Sequence, residues 1–215
     1  MSAAPLPIPP ATAAPPPSPH RRLRDLGKLL LAGIGALLIA VGGFYGYLQV
    51  THNFHEVEPG QYYRSAQLAP DDLTAIIRQY GIRSVLNLRG KNTGKTWYDE
   101  EIRSAAASGV EHLDYAISAR QPVSRQQIAE IEALIEQAPK PILVHCWDGA
   151  DRTGLVTAIY RLQHGADEAG ARRELSLRYG HFPYLGNKSR AMDDSFSAYL
   201  VPPNPPPNPA PAPAR

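Results

Sequence analysis

Apolar positions dominate from Leu29 to Val50, LLLAGIGALLIAVGGFYGYLQV, and no residue in that stretch is charged. As a helix rising about 1.5 Å per residue, the run reaches across a hydrocarbon layer of about 30 Å. It is apolar on all sides and carries several glycines, which suits a lipid-facing helix better than an amphipathic one on a soluble domain. Beyond Thr51 the pattern changes to short apolar runs separated by stretches of helical period. Residues 83–88, 110–117 and 141–145 read as buried strands, each rich in branched side chains. Pro70 opens a helical stretch that Gly81 closes, 97–107 is a second, and Ser124 with Gln127 forms a capping box for a third that runs to about Gln137. Strands alternating with helices predict an α/β fold, a central, mostly parallel sheet flanked by helices, preceded by one transmembrane helix. Ligands of such sheets bind beyond the carboxyl ends of the strands, which directs attention to the segment leaving residue 145.

Composition sets the boundaries. Eight prolines lie in residues 1–19 and eight in residues 202–215, among Ala, Ser and Asn. Segments of this kind bury too little apolar surface to offset their ordering entropy. The expected organisation is a disordered, Pro-rich, basic arm over 1–28, the membrane helix over 29–50, a folded domain over 51–200 and a disordered Pro-rich tail over 201–215. Net charge is +2; Arg21, Arg22, Arg24 and Lys28 against Asp25 supply +3 of it, leaving 18 basic and 19 acidic residues after position 50. That balance gives no basic footprint for a nucleic-acid partner. The same four cations precede the apolar run, and the next Lys or Arg is Arg64. By the positive-inside tendency the amino terminus is cytoplasmic and the domain extracytoplasmic, which in a bacterium means a single-pass inner-membrane protein facing the periplasm. A basic stretch followed by an apolar run is also the pattern of a secretion signal, but VTHNFHEV offers no clear small-x-small cleavage site.

The single cysteine, Cys146, excludes an internal disulfide and a multi-cysteine zinc site, and no metal or cofactor is called for. It opens the loop His145-Cys146-Trp147-Asp148-Gly149-Ala150-Asp151-Arg152-Thr153-Gly154, set between a strand and an apolar helix. A strand, a tight turn and a helix start can direct successive backbone N–H groups inward, a nest for an anion at the positive end of a helix. Gly149 would relieve crowding in the turn, and Gly154 would let the helix pack closely. A thiol seated there has its ionised form stabilised by the same N–H groups and by a guanidinium. Arg152, six positions on, can set a planar two-pronged donor on two oxygens of a bound phosphoryl group. Nucleophile and clamp share one loop, which supplies orientation as well as charge. A lone cysteine is more often a buried hydrophobe, but AspGlyAlaAspArgThrGly is not a core sequence.

This loop resembles the active-site loop of the protein tyrosine and dual-specificity phosphatase superfamily. The resemblance extends to TyrTyrArgSerAlaGln (62–67) and TyrGlyIleArgSerValLeuAsnLeuArg (80–89), so it covers roughly residues 54–200, as in small bacterial membrane-anchored or periplasmic members. It implies a phosphocysteine on Cys146, phosphate held by Arg152 and the backbone of Trp147, Asp148, Gly149, Ala150 and Asp151, and hydrolysis by water without a metal. Thr153 matches the residue whose hydroxyl helps the thiolate leave, and His145 one that orders the loop.

The proton donor departs from the family pattern. The loop that carries an aspartate in the family reads SerAlaArgGlnProValSer here (118–124) and has no carboxylate. Asp151, beside Arg152, and Asp114, on the second strand, are the alternatives, with Asp148 third as a turn residue. Trp147 stands where lipid-directed members often have lysine and offers a flat apolar wall. Arg64 and Arg120 are weighed as rim groups against the commoner state of a solvated arginine. The expected substrates are phosphotyrosine or phosphoproteins. A lipid head-group or inositol phosphate phosphatase and a phosphate-binding pseudophosphatase are the alternatives.

Overall fold

The computed structural model describes residues 19–202, in two units that part after Phe44. The proline-rich stretches 1–18 and 203–215, expected to be disordered, lie outside the described residues. Helix α1 (Pro19–Val50) begins ten residues before the apolar run; of its residues, Leu23–Val50 form a helix long and apolar enough to cross a membrane.

The second unit runs β1 (His55–Glu58), β2 (Tyr62–Ser65), α2 (Pro70–Tyr80), β3 (Ser84–Asn87), α3 (Thr96–Ala107), β4 (Glu111–Asp114), α4 (Arg125–Gln137), β5 (Ile142–His145), α5 (Asp151–Gln163), α6 (Glu168–Arg172), a 3-10 turn at Leu177–Tyr179, and α7 (Arg190–Leu200). Its five strands lie in the order β1-β2-β5-β3-β4, and only the β1–β2 pair is antiparallel. The α/β architecture with a mostly parallel, helix-flanked sheet is thus as the alternation of patterns predicts.

The sheet is buried on both faces, which is why its central strands are apolar at successive positions. Tyr62, Leu86, Ile142 and Val144 pack with Ile128, Ile131 and Ile135 of α4, Leu155 and Ile159 of α5, and Met192 and Phe196 of α7. Tyr63, Val85 and Leu143 point the other way, with Leu73 and Ile77 of α2 and Ala105 of α3. Gly81 ends α2 in the left-handed conformation, φ 66°, and the Ser124–Gln127 capping box starts α4. β1 and β2 are additions to the pattern-based reading. β5 is the middle strand, so the segment leaving its carboxyl end emerges between β2 and β3.

Candidate active site

Cys146 leaves β5 directly and is 2% exposed. Residues 146–150 make the turn, and α5 starts at Asp151, so Arg152 lies in its first turn. The carbonyls of this loop are accounted for one by one. The Cys146 carbonyl meets His145 Nδ1 at 3.2 Å, and the Trp147 carbonyl accepts from the Gln67 amide at 3.0 Å. The Asp148 carbonyl accepts from Asn53 Nδ2 at 2.9 Å, and the Gly149 carbonyl from Arg64 Nη2 at 2.7 Å. With the carbonyls held by their surroundings, the N–H groups of residues 147–153 find no acceptor among the described residues. A run of unpaired amides at a helix start is a cup for an oxyanion. Two buried side-chain groups of the loop are also without partners, Arg152 Nε and Thr153 Oγ1.

Gly149 is required where it stands. Its φ is +69°, and a Cβ there would come within 2.6 Å of the Ser65 backbone. Gly154 lets α5 approach the chain at Glu174, whose carbonyl a Cβ would meet at 2.9 Å.

Arg64 is neither a rim group nor solvated. It is fully buried, with Nη1 on Glu174 Oε2 at 2.6 Å, Nη2 on the Gly149 carbonyl, and its guanidinium 3.9 Å from the Tyr179 ring centroid. It ties the turn to the segment after α6. Arg120 is exposed.

Behind His145 lies a carboxylate that the sequence did not flag. Glu101 of α3, buried, meets His145 Nε2 at 3.2 Å and His112 Nε2 at 2.7 Å and accepts from Gln67 Nε2. Burial opposes its ionisation, but the two imidazoles outweigh burial and hold the carboxyl well below the usual range. His145 is therefore gripped at both ring nitrogens.

The three candidate proton donors stand in different surroundings. Asp114 accepts from the Tyr98 hydroxyl and from Asn87 Nδ2. Asp151 meets His181 Nδ1 at 2.6 Å, and His181 Nε2 meets Asp193 of α7 at 2.8 Å. Asp148 uses its backbone carbonyl, while its side chain makes no hydrogen bond among the described residues; removal from water and the charge of Asp151 push its carboxyl up, against Arg152 and Arg89. Trp147, just after the cysteine, is largely exposed. Glu101, His181 and Glu174 escaped the sequence reading because each acts through a partner distant in the chain.

A model of the family described as polymorphic toxin system, DSP-PTPase phosphatase, matches residues 59–166. The chain belongs to this family. As a member it is a phosphatase of the tyrosine and dual-specificity type, a hydrolase of phosphorylated substrates, and the matched residues run from just before β2 past the end of α5. No curated protein matches the chain. Solved structures share its fold. TpbA of P. aeruginosa, crystallised with pTyr, is 21% identical, with a TM-score of 0.51 over 68% of this chain and 83% of its own. A putative phosphatase of Neisseria meningitidis is 20% identical, with a TM-score of 0.50 over 66% of this chain and 98% of its own. The core catalytic domain of the PP-IP phosphatase SIW14 from S. cerevisiae is 19% identical, with a TM-score of 0.50 over 68% and 90%. At these identities the likeness establishes the fold.

Proposed function

We propose that the chain hydrolyses phosphomonoesters through a phosphocysteine on Cys146, with phosphotyrosine or phosphoproteins as substrates. The observation that carries this reading is the loop whose carbonyls are held by Asn53, Arg64, Gln67 and His145 while the amides of residues 147–153 are left free around a sulfur. In the first step the thiolate attacks phosphorus, the S–P bond forms, and the bond to the leaving oxygen breaks. Arg152 and the loop amides take the charge that builds on the phosphoryl oxygens. A carboxylic acid gives the leaving oxygen its proton. Of the three carboxyls we assign this to Asp148, whose side chain makes no hydrogen bond among the described residues and whose pKa is raised by removal from water and by Asp151, and give Asp151 the task of anchoring the loop to His181. In the second step water attacks phosphorus, Asp148 takes its proton, and the S–P bond breaks; we assign the donor for the departing sulfur to the Thr153 hydroxyl, which is buried and without a partner among the described residues.

The pairing of an aryl phosphate with this site is favoured by Trp147, whose exposed indole adjoins the nucleophile. TpbA, which shares the fold, binds pTyr in its crystal. The test is phosphate release by the full-length chain in mild detergent from phosphotyrosine peptides and from phosphoinositides. Turnover of the peptides, abolished in Cys146→Ser, is expected. Preference for the lipids by a large factor would replace the peptide reading with the lipid one, and no release from any phosphoester would leave a binding module.

A further inference from the structure

Arg89 lies two residues beyond β3 and reaches the mouth of the cup. Its guanidinium carbon lies 3.3 Å from the ring centroid of Trp97 and 4.5 Å from that of Trp147. Nη1 donates to Gln67 Oε1 at 2.8 Å, and this neutral amide is the only hydrogen-bond partner of the guanidinium among the described residues. The ion pairs that arginines make among those residues go to Arg64, Arg161, Arg172 and Arg190; Arg89 and Arg152 have none.

A half-buried guanidinium gives up hydration and ordinarily gains a carboxylate in return. Here it gains two indole faces, which orient the cation without neutralising it. Burial and the neighbouring charge of Arg152 act against Arg89 and outweigh Glu101, Cys146 and Asp148, which act for it. Arg89 and Arg152, two neighbouring cations without an ion pair among the described residues, can together receive two negative groups, one in the phosphate cup and one beside it. Trp147, next to the nucleophile in the chain and 4.5 Å from the Arg89 guanidinium, is largely exposed and offers an indole on which an aryl ring can stack.

We propose that Arg89, held between Trp97 and Trp147, is a second anion-recognising group of the site and selects phosphotyrosine that has an acidic residue beside it. This rests on the phosphatase reading and adds a substrate preference to it. An inositol bearing several phosphates is the less fitting occupant. Arg89 supplies one additional cation, the chain after residue 50 holds 18 basic against 19 acidic residues, and an indole wall matches an aryl ring.

Binding and turnover are tested separately. The full-length Cys146→Ser protein in mild detergent is titrated with fluorescent phosphotyrosine peptides that carry Glu, Ala or Lys next to the phosphotyrosine. The Glu peptide is expected to bind about tenfold more tightly than the Ala peptide, and the Lys peptide most weakly. Adding Arg89→Met should bring the Glu-to-Ala ratio close to one, and Arg89→Lys should restore part of it. The proposal is overturned if the parent protein ranks the peptides equally, if Arg89→Met keeps the ranking, or if it weakens all three peptides alike, which would make Arg89 a support of the loop only. It is also overturned if inositol hexakisphosphate displaces the Glu peptide at lower concentration than the unlabelled peptide does. Phosphate release by the protein with Cys146 intact is the separate measure of catalysis: its absence sinks the phosphatase mechanism, whereas the peptide ranking alone decides the role of Arg89.

Discussion

The Asp148 carboxyl is pushed above its ordinary range by the surrounding loop and by Asp151, while Arg152 and Arg89 pull it back. Asp151, three residues on, is instead in contact with His181. A general acid must carry its proton when the leaving oxygen departs, so the rate should fall as pH rises through the raised Asp148 value. Asp148→Asn is expected to lower turnover of a phosphotyrosine peptide by about 100-fold and to remove that fall at high pH. An aryl phosphate whose phenol leaves without protonation should lose far less. Steady-state rates on both substrates across pH check this, and an equal loss on the two would reject Asp148 as the acid. The strand, cysteine turn and helix start of residues 145–154 were legible at this scale because the residues that make them are adjacent in the chain. The state of Arg64 was not: an arginine in TyrTyrArgSer gives no sign that Glu174, 110 positions away, will bury it. Proton-donor assignment failed to close for the same reason, since His181, Tyr98 and Asn87, which distinguish the three carboxyls, are contacts made by folding.

Elements with local signals were read directly: Pro70 and Gly81 bound α2, and Ser124 with Gln127 starts α4, because the chemistry of a helix end lies within four residues of it. β1 and β2 carried no such signal. HisGluValGlu is a polar edge strand, and TyrTyrArgSer is buried at every position, so neither alternates in the way a half-buried strand does. What joins elements is equally non-local. His181, fully buried, links the first residue of α5 to Asp193 of α7. Burial alone would lower its pKa, yet the two carboxylates that face it raise it above 6.5. A group whose folded value is raised stabilises the fold fully below its unfolded value and ceases to do so as pH climbs through the folded one. Unfolding midpoints should therefore decline as pH rises from the ordinary histidine value through the raised His181 value, with His181→Asn less stable by about 1–3 kcal/mol at the lower end and flatter across the range. Denaturant titrations at several pH values measure both; a variant whose profile runs parallel to the parent's would show that the imidazolium is not the link.

At the scale of the whole molecule, the place where the phosphatase works turns on whether the long apolar helix stays in a bilayer and which way it faces. Leu23–Val50 can span a bilayer by length and composition, and the cations near it are confined to its amino-terminal side until Arg64. Moving Arg21, Arg22, Arg24 and Lys28 across a membrane would cost far more than leaving them on the cytoplasmic face, which is the physical content of the positive-inside tendency. Produced in a Gram-negative bacterium, the full chain should remain in the membrane pellet after alkaline carbonate extraction. Protease added to spheroplasts should remove the phosphatase domain and leave a short protected fragment. Replacing the four cations with Gln or Asn should weaken that asymmetry and protect part of the population. A domain recovered in the soluble periplasmic fraction, trimmed at its amino end, would identify the apolar run as a cleaved signal; protection of the whole domain would reverse the topology and assign the enzyme to cytoplasmic substrates. The outcome bears on chemistry: if the domain lies outside the cytoplasm, its single thiol faces an oxidising compartment, where its burial, 2% exposed, and the lack of a second cysteine to pair with protect it.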